Sequence, residues 1–213
     1  PVAADASSGF IPVVDQFRYL GSITDKTLDD GIDVDNNIAK ASQAFGALRK
    51  SIFGPRYINI GTKSTIYTSL VLSILLFGSE SWCLTARSLN KLRAFHHRCA
   101  RAIVGTSRWH SWHHHITNAT TLAAAGINSV ESYVFRRQLR WAGHVARMPT
   151  SRLPRKFLSS WCRAKRPTGA PKLTYGRTLL KALKWAGIDA SRWHVLAQDR
   201  GAWRETIAAV GRS

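Results

Sequence analysis

A mainly α-helical chain, with one short β hairpin near the N-terminus, is the fold that the sequence predicts. Three observations carry that expectation. Apolar residues recur at helical spacing from residue 38 onward, Ser, Thr and Gly punctuate those runs where helices start and stop, and the strand-like pattern is confined to the first 23 residues. With 45% hydrophobic residues and eight Trp among 213 residues, the chain carries enough apolar surface to bury a core, which excludes a disordered tail.

Taken in order, residues 1–11 are small and polar and read as an irregular lead-in. Val13, Val14, Phe17, Tyr19, Leu20 and Ile23, around Gly21-Ser22, suggest a short hairpin. Asp25 to Asp35, interrupted by Gly31, reads as an acidic loop in which Asp29-Asp30 form a solvated turn before a helix. Ile38, Ala41, Phe45, Leu48 and Ile52 lie on one helical face, closed by Gly54-Pro55. A second helix begins near Thr62 and carries Ile66, Leu70, Val71, Ile74 and Leu75; apolar almost all round, it is the expected buried centre. A third, capped by Thr85, aligns Leu89, Leu92, Phe95, Cys99 and Ile103 and stops at Gly105. Residues 109–115 read as a polar, aromatic loop. A short helix over about 117–125 ends at Gly126, and a longer one runs from the cap Ser129 through Arg147. Four of the seven prolines fall in residues 148–175, which read as irregular apart from a short helix near 155–161. Two last helices, about 175–186 and 191–209, are capped by Thr174 and Ser191.

Charge narrows the function. The chain holds 31 Lys and Arg against 12 Asp and Glu, a formal net charge of +19. Seven of the acids precede residue 36, whereas residues 36–188 contain 25 Lys and Arg and only Glu80 and Glu131. Such unpaired charge opposes compaction unless a polyanion neutralises it, and RNA or DNA is the commonest one. A membrane surface would call for a single amphipathic basic helix, and the apolar run Leu70 to Phe77 is too short to span a bilayer, so no membrane partner is expected. Three scattered Cys without a secretory pattern point to an intracellular, reducing setting, and a start at Pro1 reads as a piece of something longer.

Catalytic patterns are missing from this sequence. A two-metal site needs convergent carboxylates, and the basic body has two acids far apart in sequence. His96, His97 and Cys99, and His110, His113, His114 and His115, lack the paired ligand spacing of structural zinc, and Cys99 falls on a core stripe. No strained turn presents a nucleophile. No catalytic residue, metal site or cofactor is therefore expected in this chain. Basic and aromatic interleaving is the stronger signal: Arg136, Arg137, Arg140, Trp141, His144 and Arg147 share one helix, where Arg136, Arg140, Gly143 and Arg147 form a stripe. Arg152, Arg155, Lys156, Arg163, Lys165 and Arg166 come next, and guanidinium forks suit phosphate while Trp can stack on an unpaired base.

A series of motifs then resembles one family. Phe17-Arg18-Tyr19-Leu20-Gly21-Ser22, Asp30-Gly31 and Ile38-Ala39-Lys40-Ala41 look like the segment after the catalytic palm in reverse transcriptases of non-LTR (LINE-type) retrotransposons. Thr62-Lys63, Tyr67, Leu76-Phe77-Gly78-Ser79-Glu80-Ser81-Trp82, Leu92, Phe95 and Cys99-Ala100-Arg101 resemble the C-terminal region of those enzymes. So do Trp141-Ala142-Gly143-His144-Val145-Ala146-Arg147-Met148, Arg152-Leu153-Pro154, Arg166-Pro167 and Asp199-Arg200-Gly201-Ala202-Trp203, in the same order, so the likeness covers about residues 12–207. Phe77 stands where the family usually has Tyr, and Thr168 to Tyr175 departs from its basic, Trp-containing pattern.

The resemblance implies a division into the end of the palm with a primer-grip hairpin (1–35), a thumb-like helical bundle (36–105) and a basic helical C-terminal extension (106–213). Phe17, Tyr19, Leu20 and Gly21 would form the primer grip. Lys63, Arg98 and Arg101 on the thumb would join the arginines of the extension in holding RNA or DNA. The family's catalytic aspartates, and the Mg²⁺ of the full enzyme, would belong to an upstream palm of the same polyprotein, and the work would be done in the nucleus. Two rivals stand beside this: a retroelement remnant without function, and a stand-alone host nucleic-acid-binding protein.

Overall fold

The computed structural model describes residues 2–3, 10–11, 14–19, 21–26, 30–159 and 174–210, and the chain is mainly α as expected. Where an irregular lead-in is expected, β1 (Val2–Ala3) pairs antiparallel with β2 (Phe10–Ile11). The expected hairpin is β3 (Gln16–Tyr19) against β4 (Ser22–Asp25), with Tyr19 opposite Ser22. A two-residue link of this kind needs a residue at positive φ, and Gly21 supplies it at +98°.

Helix α1 (Gly31–Leu48) starts inside the acidic stretch, and its first acids are not solvated. Asp33 is 3% exposed: its Oδ1 accepts the Ile23 N–H at 3.0 Å and its Oδ2 the Trp82 indole N–H at 3.0 Å. Asp30 Oδ2 accepts the Cys83 N–H at 2.6 Å. Asp33 is therefore an internal acceptor joining the hairpin, α1 and the 76–83 loop, and a buried carboxylate persists only with such donors. Of the pair expected as a solvated turn, Asp30 is a half-buried turn residue bonded to that loop, and Asp29 lies outside the described residues. After a π-helical turn, Arg49–Phe53, α2 (Ile60–Ile66) passes through a second, Tyr67–Val71, into α3 (Leu72–Leu75). Thr65, Thr68, Ser69 and Ser73 hydroxyls donate back to carbonyls three or four residues earlier, which loosens a regular α ladder. Burial here is one-sided: Tyr67, Val71, Leu72 and Leu75 are inside while Leu70 is half exposed.

Helix α4 (Ala86–Val104) begins at the Thr85 cap and buries Leu92, Phe95, Cys99 and Ile103, the expected stripe. The segment expected as an aromatic loop contains a helix, α5 (Arg108–His113), capped by Ser107. Then come α6 (Asn118–Ala125), α7 (Val130–Ala146), α8 (Leu153–Ser159) and α9 (Tyr175–Trp185). The single last helix expected at 191–209 is split into α10 (Trp193–Leu196) and α11 (Arg200–Ala209). Asp199 causes the break, because its side chain accepts the N–H groups of Gly201 at 2.7 Å and Ala202 at 3.1 Å as an N-cap, outside helical geometry.

The described residues pack into two cores. The first runs from Val34 to Val134 and holds Tyr67, Leu75, Trp82, Leu92 and Ile103; the second holds Leu139, Ala142, Leu179, Leu183, Trp203 and Ile207. Helix α7 belongs to both, with Val130 and Val134 in the first and Leu139, Ala142 and Ala146 in the second. From α7, Arg137 donates to the Leu76 carbonyl at 2.9 Å and Gln138 to that of Trp82 at 3.0 Å, while Asn37 of α1 donates to that of Phe77 at 2.9 Å. Carbonyls of an irregular buried loop need such donors, and this is how the Leu76 to Trp82 motif becomes a joint between the helices. Among the described residues, no helix is long and apolar enough to cross a membrane, and no group of three or more His, Cys, Asp and Glu is placed to hold a metal.

Candidate nucleic-acid interface

A missing side chain sets the site. At Gly143 on α7, a Cβ would come within 2.5 Å of Trp203 Cδ1 and 2.9 Å of its Cε2, so only glycine admits the indole that α11 places there. Trp203 is 2% exposed and its Nε1 donates to the Leu139 carbonyl at 3.0 Å. Arg136 donates to the Val210 carbonyl and Arg147 Nη1 to that of Ala197 at 2.6 Å. Low numbers on α7 thus meet high numbers around α11: the two helices run antiparallel, tied at both ends by arginines and keyed in the middle by Gly143 and Trp203.

This register opens a groove of about 690 Å³ lined by Arg140, His144 and Arg147 from α7 and by Arg200, Arg204, Ile207 and Ala208 from α11, with Trp203. Arg140, His144, Arg200 and Arg204 are exposed, and among the described residues no acid lines the groove. Arg200 and Arg204, four residues apart on α11, are like-charged neighbours that repel, and with Arg140 and Arg147 they concentrate positive charge that a phosphodiester chain would neutralise. Guanidinium forks also match phosphate oxygens bidentately. The half-buried Trp141 ring lies 5.7 Å from that of His144, beside the groove.

Of the residues expected to contact nucleic acid, the structure gathers Arg140, Trp141, His144 and Arg147 here. Arg136 and Arg137 are half-buried, each giving one guanidinium bond to a backbone carbonyl, of Val210 and Leu76, as structural ties, and Lys63 is buried at 5% exposure. Lys63 is thus an interior position and not a surface contact, while Arg136 and Arg137 are partly accessible ties between elements. Arg98 is exposed with its guanidinium 5.2 Å from the Phe95 ring centre. Arg101 is half-buried and donates to Asn118 Oδ1 at 3.2 Å; burial and then the neighbouring Arg108 charge lower its pKa. Arg152 and Lys156 are exposed and Arg155 half-buried around α8, whereas Arg163, Lys165 and Arg166 lie outside the described residues.

The hairpin residues form a separate surface. Phe17 and Tyr19 are exposed at 56% and 62%, their rings stacked with centres 6.3 Å apart. Lys40 Nζ donates to the Gly21 carbonyl at 3.3 Å, and Gly21, Asn37, Lys40 and Phe77 border a second hollow of about 390 Å³. Leu20 lies outside the described residues. Arg200 and Arg204 are additions that the sequence pattern did not single out. The signal for them is the i, i+4 spacing on a helix whose Trp203 and Ile207 occupy the alternate, inward positions.

A mainly α chain with a cationic groove that no described acid lines is thus the class that fold and site define. Compared with known proteins, the chain is 25% identical over 147 residues to an uncharacterized transposon-derived protein of Caenorhabditis elegans. The alignment takes in 67% of this chain and 52% of that protein, so the chain spans about half the length of the curated relative it matches. The likeness supports a transposon origin for the sequence. No family model and no solved structure matches it.

Proposed function

We propose that the chain is the primer-grip, thumb and C-terminal-extension portion of a non-LTR retrotransposon reverse transcriptase, and that it grips template and primer for a palm lying upstream in the same polyprotein. The acid-free groove between α7 and α11 carries the reading, because it is built by two of the segments that resemble the family, Trp141 to Met148 and Asp199 to Trp203. The transposon-derived relative supports the origin. RNA-templated DNA synthesis with Mg²⁺, in the nucleus, would be the work of the whole enzyme. Asp30 and Asp33 do not fit that metal, because they are engaged as acceptors by Cys83, Ile23 and Trp82, so no step is assigned to them.

Fluorescence anisotropy with labelled RNA/DNA hybrid, duplex and single strand, titrated with salt, tests the reading. Affinity should fall steeply with salt, and Arg140→Glu with Arg204→Glu should flatten the log–log slope by roughly two units, one for each phosphate no longer neutralised. A folded protein that binds none of the three at low salt overturns it.

A further inference from the structure

Helix α5 is built inside out. Its buried residue is Ser111, whose hydroxyl donates to the Ser107 carbonyl at 3.0 Å, while Trp109 and Trp112 stand 67% and 73% exposed on the outer face. A globular protein ordinarily buries indoles, which are its largest apolar side chains. Spacing of three residues sets the two on one side of the helix. The His113 ring contacts both, its centre 4.0 Å from that of Trp109 at a 52° tilt and 5.0 Å from that of Trp112 at 80°. Ser107 caps the helix by accepting the His110 N–H at 3.0 Å, and the Ile116 N–H closes the far end on the Ser111 carbonyl at 2.8 Å. The surroundings are cationic. Arg108 is exposed and close enough to Arg101 for the two charges to repel, and no Asp or Glu occurs between Glu80 and Glu131.

We propose that α5 is a stacking platform for unpaired bases of single-stranded nucleic acid, with Trp109 and Trp112 receiving the bases and Arg108 and Arg101 the adjoining phosphates. Exposed aromatic faces beside arginines suit an unpaired strand, because each base offers a π face and a duplex hides it. This rests on the reading of the chain as a nucleic-acid binder and adds to it a strand preference located away from the α7/α11 groove.

The test is anisotropy with labelled oligo-dT, oligo-rU and a DNA duplex at low salt, on the parent and three double variants whose unfolding midpoints are first matched. Trp109→Ala with Trp112→Ala should weaken single-strand binding by about tenfold or more, with duplex binding changed by less than about twofold. Trp109→Leu with Trp112→Leu should lose as much, since apolar bulk without a ring cannot stack, and the double Phe variant should stay within about threefold of the parent. If the alanine pair binds single strands as tightly as the parent, or the leucine pair retains the affinity, the platform is refuted while the binding function stands. If the folded parent binds no nucleic acid, both fall together. Relative losses on oligo-dT and oligo-rU distinguish DNA from RNA as the strand received.

Discussion

Replacing Gly143 by Ala tests the packing on which the groove depends. On an isolated helix this change is favourable by about 1 kcal/mol, because alanine has the higher helix propensity. Here the added methyl would lie within 2.5 Å of Trp203 Cδ1, inside van der Waals contact, on a side chain that is 2% exposed and has nowhere to retreat. Overpacking a filled core costs roughly 1–3 kcal/mol. Displacing the indole also breaks its 3.0 Å hydrogen bond to Leu139 and strands a buried N–H, for about 1–3 kcal/mol more. The net expectation is a loss of about 3 kcal/mol, which for a chain of this length lowers the thermal midpoint by roughly 6–12 °C. Urea and thermal unfolding followed by near-ultraviolet circular dichroism measure it, and Trp203→Phe in the same chain should recover part of the loss by vacating the space. An alanine variant as stable as the parent, or more stable, would refute the close approach and with it the antiparallel register of α7 and α11.

Two further outcomes are expected from buried polar groups. Asp33→Ala should destabilise by about 2–5 kcal/mol, since it leaves the Ile23 amide and the Trp82 indole without acceptors; hydrogen exchange should quicken first at the Ile23 amide, and unchanged exchange there would contradict the bridge. His96 makes the second case. Its Nε2 faces the Asn128 carbonyl at 2.9 Å, which can only accept, so the proton sits on Nε2 and Nδ1 accepts the Tyr67 hydroxyl at 2.7 Å. Burial, chiefly, holds its pKa down at about 4, against 6.5 for a free imidazole. The unfolded chain therefore takes up the proton first, and stability present at pH 7 should drain away as pH falls from about 6.5 toward 4, by about 2 kcal/mol between pH 7 and pH 5. Denaturation at the two pH values in the parent and in His96→Gln checks this, and an equal pH dependence in both would exclude His96 as its source.

Helix positions are legible in the sequence because their signals are local: Thr85, Ser129 and Thr174 cap as their chemistry suggests, and Gly105 and Gly126 end α4 and α6. Helix α5 is not legible, since its outward Trp pair violates the inside-apolar pattern by which a helix is recognised. The role of Asp33 depends on partners 10 and 49 residues away, which no spacing rule connects. The groove is half legible for the same reason. Arg140, His144 and Arg147 mark themselves as a cationic edge of α7, but Arg200 and Arg204 join them only through the meeting of Gly143 with Trp203, a contact between distant parts of the chain.

The stripe Arg136, Arg140, Gly143 and Arg147 holds two kinds of position that composition alone reads as one. Arg136 and Arg147 hold the carbonyls of Val210 and Ala197 beyond either end of α11, where a cation beside the Val210 end also meets the negative pole of the helix. Arg140, with Arg200 and Arg204, faces like charge across the groove. The arginines that assemble α11 on α7 therefore create the repulsion that an anion would relieve. One helix face both assembles α11 on α7 and gathers the charge of the groove, so a polyanion seated there would stabilise the packing of α11 on α7 by mass action.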